Sequence, residues 1–369
     1  MIFRILEDQL AQKARDAEAA DRRFTQLALT LGCRGLGRTW PNPAVGAVVV
    51  KDGTIIGRGW TQPGGRPHAE PVALREAGEA ARGATLYVTL EPCVHHGKQP
   101  PCVDAIGDAG VARVVFAAHD PDPVAAGGAA RLGAMQIAVE SGVLRDPAER
   151  LNFRFLQRFR RPGTPFVTVK LAVSMDGRIA DAEGRSQWIS GAAARQWVHR
   201  LRAGYGAIAV GAATAATDHV RLTVRGDVAP RVPPVRVIFA RAGLEPPLEW
   251  LGDPADGPAI VMRVGAAEPR AALVGHREVI DVADIGAALR ELAVRGIDSV
   301  LVEGGGRLAG ALLAGGLVDR VHQVQSPIWL GAGVPAWAGL GAIALADAPR
   351  WRTVERLALG DDTVLTLER

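Results

Sequence analysis

The sequence predicts a two-domain α/β protein. Its 369 residues are about two domains' worth at ~100–200 residues each, so each half can bury its own core. Short apolar runs alternate with helix-like segments across short links, the pattern of sheets covered by helices. A stretch rich in Arg and aromatics, residues 145–165, interrupts the first series before a second begins. The expected divisions are a charged N-terminal extension (1–20), a first domain (21–147), a linker (148–165) and a second domain (166–369).

Residues 1–20 read as a charged helix, and 21–36 as helix again. Pro41-Asn42-Pro43 breaks the chain before a strand from Val45 to Lys51, and Asp52-Gly53 turns it into a second strand, Thr54 to Trp60. A helix is expected from His68 to about Ala77. Thr85 to Leu90 is a strand leading into a cysteine-bearing loop. Pro101-Cys102 starts a helix that Gly110 ends, and Val111 to Ala117 is a strand. Together these make a three-layer α/β unit. Beyond the linker the pattern gives strand 166–173, helix 191–203, strands 207–211 and 235–239, helix 284–295, strand 297–302 and helix 307–315. The final third of this half is less clear.

Composition narrows the function. With 43 basic and 39 acidic residues the net charge is +4, spread along the chain, and aromatics are 5%. Nucleic-acid binding would call for basic stripes with stacking aromatics. No run approaches the ~18 apolar residues of a membrane span. Residues 1–23 hold five basic and five acidic side chains, unlike a signal or transit peptide. A cytoplasmic location is expected. Three cysteines, two of them near a His-x-Glu, suit a metal in a reducing compartment better than a disulfide framework. Cys33, the third, is expected to be a small buried residue.

The chemistry concentrates in His68-Ala69-Glu70, Pro92-Cys93 and Pro101-Cys102. His68, Cys93 and Cys102 form a three-ligand zinc set, which leaves the fourth position open for water. His68 and Cys102 both stand at expected helix starts, where partial positive charge favours thiolates. Glu70 is close enough to share the site without ligating, as the general acid/base of a hydrolytic deaminase. Each piece alone would read as an ordinary helix start or a buried thiol; the combination points to a metal. The Cys-x8-Cys spacing is wider than the Cys-x2-Cys of most nucleobase deaminases. The intervening His95-His96-Gly97-Lys98 would suit an anionic substrate group, or be plain exposed loop.

In the second half, Ile297 to Val302 is an apolar strand, followed by Glu303-Gly304-Gly305-Gly306 and a helix. Glycines there let backbone amides approach a phosphate, or simply make a tight turn. Lysine occurs only at 13, 51, 98 and 170. Lys170 lies on an apolar strand, where an unpaired charge is costly; Asp176 is its expected partner.

The run Thr89-Leu90-Glu91-Pro92-Cys93-Val94-His95-His96-Gly97-Lys98-Gln99-Pro100-Pro101-Cys102, with Pro41-Asn42-Pro43-Ala44-Val45-Gly46 and Pro67-His68-Ala69-Glu70, resembles the bifunctional deaminase–reductase family of riboflavin biosynthesis. Lys170, Ser174-Met175-Asp176-Gly177-Arg178, Ser186-Gln187-Trp188-Ile189, Val210-Gly211-Ala212-Ala213-Thr214 and Val302 to Leu308 extend the resemblance over nearly the whole chain. It implies a cytidine-deaminase-like α/β/α domain and a dihydrofolate-reductase-like α/β domain. It also implies zinc, NADPH, a phosphorylated pyrimidine substrate and a self-associating protein. Asn42, His95 and Lys98 would then contact the deaminase substrate. Val173, Trp188, Thr214, Asp218 and Gly304 to Gly306 would hold NADPH. Lys170, Asp176, Ser186, Arg202, Leu222, Arg225 and Glu303 would hold the reductase substrate.

The chain departs from the family pattern at Thr61 and Val72, where histidines are usual, at Lys98-Gln99, at His219-Val220-Arg221 and at Ala240-Arg241. Arg241 is expected to meet the 2′-phosphate of NADPH. Two other readings stay open at this point: a zinc deaminase acting on nucleic acid, and an active deaminase joined to a non-catalytic second domain that binds cofactor or mediates oligomerisation.

Overall fold

The computed structural model describes residues 2–218, 220–226, 228–243, 253–275 and 277–369. His219, part of the altered 219–221 segment, lies outside them. The chain divides into two compact units, Met1–Arg160 and Arg161–Arg369.

In the first unit α1 (Ile2–Gly32) is one continuous helix, so the expected extension and the helix after it are a single element. The expected hairpin forms as β1 (Gly46–Lys51) and β2 (Thr54–Trp60), followed by α2 (Ala69–Ala77), β3 (Thr85–Leu90), α3 (Cys102–Asp108) and β4 (Arg113–Ala118). Then come α4 (Gly128–Ala134), β5 (Ala138–Ser141), α5 (Arg145–Leu151) and α6 (Phe153–Arg160). The sheet order is β2-β1-β3-β4-β5. β1 runs antiparallel to β2 and β3, while β3, β4 and β5 are parallel. β1 and β3 are almost wholly buried because helices cover both sheet faces.

The expected linker is not a linker up to Arg160. Ala148, Phe155 and Leu156 lie in the same apolar cluster as Leu86, Val88 and Phe116, so α5 and α6 complete the first core. Cys33 is also corrected: it is exposed, while Cys93 and Cys102 are buried.

The second unit contains β6 (Phe166–Val173), β7 (Arg178–Ala180), α7 (Ala192–Ala203), β8 (Ala207–Gly211), α8 (Ala212–Asp218) and β9 (Val235–Arg241). It continues with β10 (Ala259–Val264), β11 (Arg270–Val274), β12 (Arg277–Val282), α9 (Ile285–Val294), β13 (Ser299–Glu303), α10 (Gly306–Ala314) and β14 (Arg320–Gln325). β15 (Val334–Pro335), β16 (Arg352–Leu359) and β17 (Asp362–Glu368) end it. Ten strands form one sheet in the order β11-β12-β10-β9-β8-β13-β6-β14-β17-β16. From β12 to β14 all neighbours are parallel; β11, β17 and β16 add antiparallel edges. β13 sits between β8 and β6, so its C-terminal end opens at the carboxyl edge of a parallel sheet, the usual place for a ligand crevice.

Candidate active site

The first unit brings its metal candidates together from three elements. His68 is the N-cap residue of α2, Cys93 follows β3, and Cys102 opens α3. His68 Nδ1 lies 3.3 Å from Cys102 Sγ and 3.7 Å from Cys93 Sγ, and all three ligand atoms fall within 4.8 Å of one another. Nitrogen and sulfur on a tetrahedral zinc stand about 3.6 Å apart, so the spacing fits that ion.

The three groups strongly perturb one another's protonation. The Cys93 thiol is held well below its ordinary range, first by its hydrogen bond with Cys102 and then, against burial, by His68, while the same contact and burial push Cys102 up. Burial works against a charged His68, but its hydrogen bond with Cys93 and the charge of Glu70 lift it above the ordinary imidazole range. Glu70, in the first turn of α2, is only 4% exposed. Burial pushes its carboxyl up, so it holds a proton more readily than a surface glutamate.

Neighbouring segments fix this geometry. Glu91 is buried and accepts from Ala129 N (3.0 Å) and Asp120 N (3.3 Å), with His119 Nδ1 at 3.2 Å. It thereby ties residues 119–129 to the cysteine loop. A side chain at Gly128 would put its Cβ 2.0 Å from the Pro92 carbonyl, so only glycine allows that approach. Burial raises the Asp120 carboxyl to about 7. Nothing in the local sequence signals Glu91 as a support, because it acts through residues distant in the chain.

The expected substrate contacts of this unit lie on two loops. Asn42 donates to the Gly65 carbonyl at 3.3 Å, joining the 41–43 turn to the loop before His68. His95 is partly buried and Lys98 is exposed. Thr61 is buried and its hydroxyl meets both Val45 N and Val45 O, so it is occupied in backbone support.

In the second unit the candidates gather at the carboxyl edge of the sheet. Glu303 ends β13 and takes a two-pronged contact from Arg202 of α7, at 2.6 and 2.9 Å. Lys170 pairs in register with Glu303 on one side and His322 on the other. Burial lowers Lys170; Glu303 and Asp362 oppose this, and Arg202 adds to it. Asp176 is not its partner. It accepts from Ser174 Oγ, Leu330 N and Gly331 N, because the 174–177 turn needs a cap and lies past the end of β6.

Gly304 and Gly305 follow with φ of 75° and 81°, a region that suits glycine. A Cβ there would come within 3.3 and 3.0 Å of the Thr214 side chain. The backbone is therefore bare where α10 starts beside α8, a fit for the phosphates of a dinucleotide. Ser186 donates to Asp218 at 3.3 Å, so these two meet. Trp188 is 69% exposed, with Arg195 stacked on it at 4.5 Å. Val173 and Leu222 are buried. Arg225 is exposed and its backbone N–H bonds His199; Arg241 is exposed at the end of β9. Arg221, in the altered segment, pairs with Asp256 at 2.6 Å.

Comparison with known proteins agrees with this division. Residues 18–118 match the cytidine and deoxycytidylate deaminase zinc-binding region. Residues 165–365, more than half the chain, match the RibD C-terminal domain. The chain belongs to the RibD family. RibD of Escherichia coli (strain K12) is 40% identical over 94% of this chain and 99% of its own length. RibD of Mycobacterium tuberculosis (strain ATCC 25618 / H37Rv) is 42% identical, covering 90% and 92%. Acinetobacter baumannii RibD (form 1) superposes with a TM-score of 0.78 at 37% identity, covering 95% of this chain and 99% of that one. A Thermotoga maritima diaminohydroxyphosphoribosylaminopyrimidine deaminase/5-amino-6-(5-phosphoribosylamino)uracil reductase gives 0.79 at 36%, with the same coverage. Membership fixes the fold class as expected and the cofactors as zinc and NADPH. Among the described residues no helix is long and apolar enough to cross a membrane.

Proposed function

We propose that this chain performs two consecutive reactions of riboflavin biosynthesis. The first is hydrolytic deamination of 2,5-diamino-6-(5-phosphoribosylamino)pyrimidin-4(3H)-one; the second is NADPH-dependent reduction of its ribosyl group to ribityl. The observation that carries this is the buried Glu70 beside the His68–Cys93–Cys102 triad, in a chain similar to RibD proteins from end to end.

Zinc, held by His68, Cys93 and Cys102, supplies the Lewis acidity that makes a water reactive near neutral pH. Glu70 would carry a proton from the attacking water to the departing amine. Asn42, His95 and Lys98 orient the substrate from the two adjoining loops. In the second unit NADPH supplies a hydride. Thr214, Trp188, Asp218, Val173, Arg241 and Gly304 to Gly306 hold the dinucleotide. Lys170, Ser186, Arg202, Leu222, Arg225 and Glu303 align the ribosyl carbon and exclude water. Asp176 holds the 174–177 turn to Leu330 and Gly331 beside this site. We further propose that the protein works as a homo-oligomer on a small molecule in the cytoplasm, without nucleic acid or membrane.

The test is product mass after incubating the zinc-replete chain with the ribotide, with and without NADPH. Exchange of the amino group for oxygen adds about one mass unit, and reduction adds about two more. The second shift should require NADPH. The first shift alone would leave the second unit as a binding or oligomerising module.

A further inference from the structure

Three polar atoms beside the metal triad are buried with no hydrogen-bond partner: Arg66 Nε, His95 Nδ1 and Gln99 Nε2. Arg66 stands two residues before His68. His95 and Gln99 belong to the loop between Cys93 and Cys102. The two segments touch, since Gln99 Oε1 accepts the His68 N–H at 3.4 Å, which leaves the amide's donor end unspent. A methyl group at Gly97 would sit 3.2 Å from His95 Nε2 and 3.9 Å from Arg66 Nη2. The tips of the imidazole and the guanidinium therefore both lie near the Cβ side of that glycine. Arg66 is close enough for its charge to act on the His68 ring. Among the described residues no carboxylate forms an ion pair with it.

A guanidinium, an imidazole and a carboxamide with unspent nitrogens make a receptor for anionic oxygen. Thr61, on the same loop as Arg66, cannot contribute because Val45 occupies its hydroxyl. We propose that Arg66 binds the phosphate ester of the deaminase substrate, with His95 and Gln99 completing the pocket for it. This rests on the proposed function, in which the substrate carries a ribose phosphate. The phosphate is the one dianion on that substrate, and a fork of guanidinium donors matches it.

The test uses the full-length, zinc-replete protein and two substrates, the ribotide and its dephosphorylated riboside. Arg66→Met should raise KM for the ribotide about tenfold or more with little change in kcat, as expected for lost binding that is equal in ground and transition states. It should leave kcat/KM for the riboside unchanged, and Arg66→Lys should recover part of the loss. Inorganic phosphate should compete with the ribotide in the wild type and lose that effect in Arg66→Met. Zinc content near one per chain, which needs the His68, Cys93 and Cys102 geometry of the same unit, serves as the check on folding; if Arg66→Met fails it, Arg66→Gln keeps a polar end and carries the same comparison. An unchanged ribotide KM in a folded variant, or equal losses on both substrates, would overturn the inference alone. A wild type unable to deaminate the ribotide would overturn the proposed function and this inference with it.

Discussion

Asn152 holds both backbone polar groups of Ala44. Its Oδ1 accepts the Ala44 N–H at 2.7 Å and its Nδ2 donates to the Ala44 carbonyl at 3.1 Å. Asn152 is buried between α5 and α6, so the helices that end the first unit grip the segment just after Pro41-Asn42-Pro43. Arg154 of α6 adds a second hold, with its guanidinium 3.7 Å from the Trp40 ring.

Asn152→Ala should therefore loosen the turn that carries Asn42. Two buried backbone groups would lose their partners, at about 1–3 kcal/mol each. Urea unfolding should show a loss of that order, and deaminase KM should rise more than kcat falls. Asn152→Asp, which sets a carboxylate oxygen against the Ala44 carbonyl in a buried site, should cost at least as much as Asn152→Ala near neutral pH.

Glu70→Gln should lower deamination by roughly 10²–10⁴-fold while zinc content, measured by atomic absorption, stays near one per chain. Reductase turnover on the deaminated intermediate should be unaffected. Retention of deaminase activity would remove Glu70 from the reaction.

Cys102→Ser should lose zinc and deamination together, whereas Cys33→Ser should lose neither, since Cys33 is exposed outside the triad. Zinc content of the two variants decides the point.

Arg202→Leu should be costly. Arg202 and Glu303 are 13% and 12% exposed, and stranding a buried carboxylate costs about 3–5 kcal/mol. Arg202→Leu with Glu303→Gln should stay destabilised and without reductase activity, because Lys170 then loses the carboxylate that opposes its burial.

His322 gives a pH dependence. Burial first, then Arg320 and Lys170, push it down to about 3 from 6.5. Between those values the unfolded chain binds the extra proton, so stability is complete above about 6.5 and drains away as pH falls towards about 3. At pH 5 the loss should be about 2 kcal/mol, a figure insensitive to the folded value so long as that stays below about 4. His322→Phe should flatten the urea midpoint against pH over this range; an unchanged slope would show that His322 does not carry it.

The zinc site was legible because its determinants are local. Pro101 before Cys102, a strand running into Cys93 and His68 at a helix start set each ligand's position within a few residues. The second unit was harder for the opposite reason. Arg202 reaches Glu303 across 101 positions, and Lys170 meets its charges through strand register rather than chain proximity. Asp176 looked like its partner only because it is six residues away. β10 is a short buried run in the parallel part of the sheet, which lacks the alternation of a surface strand; β12 and β14 carry charged or polar side chains among few apolar ones, so no apolar run marks them. The helices at 145–160 read as a linker since their Arg-rich faces hide a narrow apolar stripe, Ala148, Phe155 and Leu156.

Glu303 and Gly304 are consecutive, so one peptide bond separates the carboxylate that Arg202 clamps from the bare turn leading into α10. Main-chain length, not rotamer choice, sets the spacing there. A single inserted residue would add about 3.3 Å, more than a side chain could take up by repacking. Over evolutionary time this junction should therefore accept substitutions around it while purging every insertion and deletion.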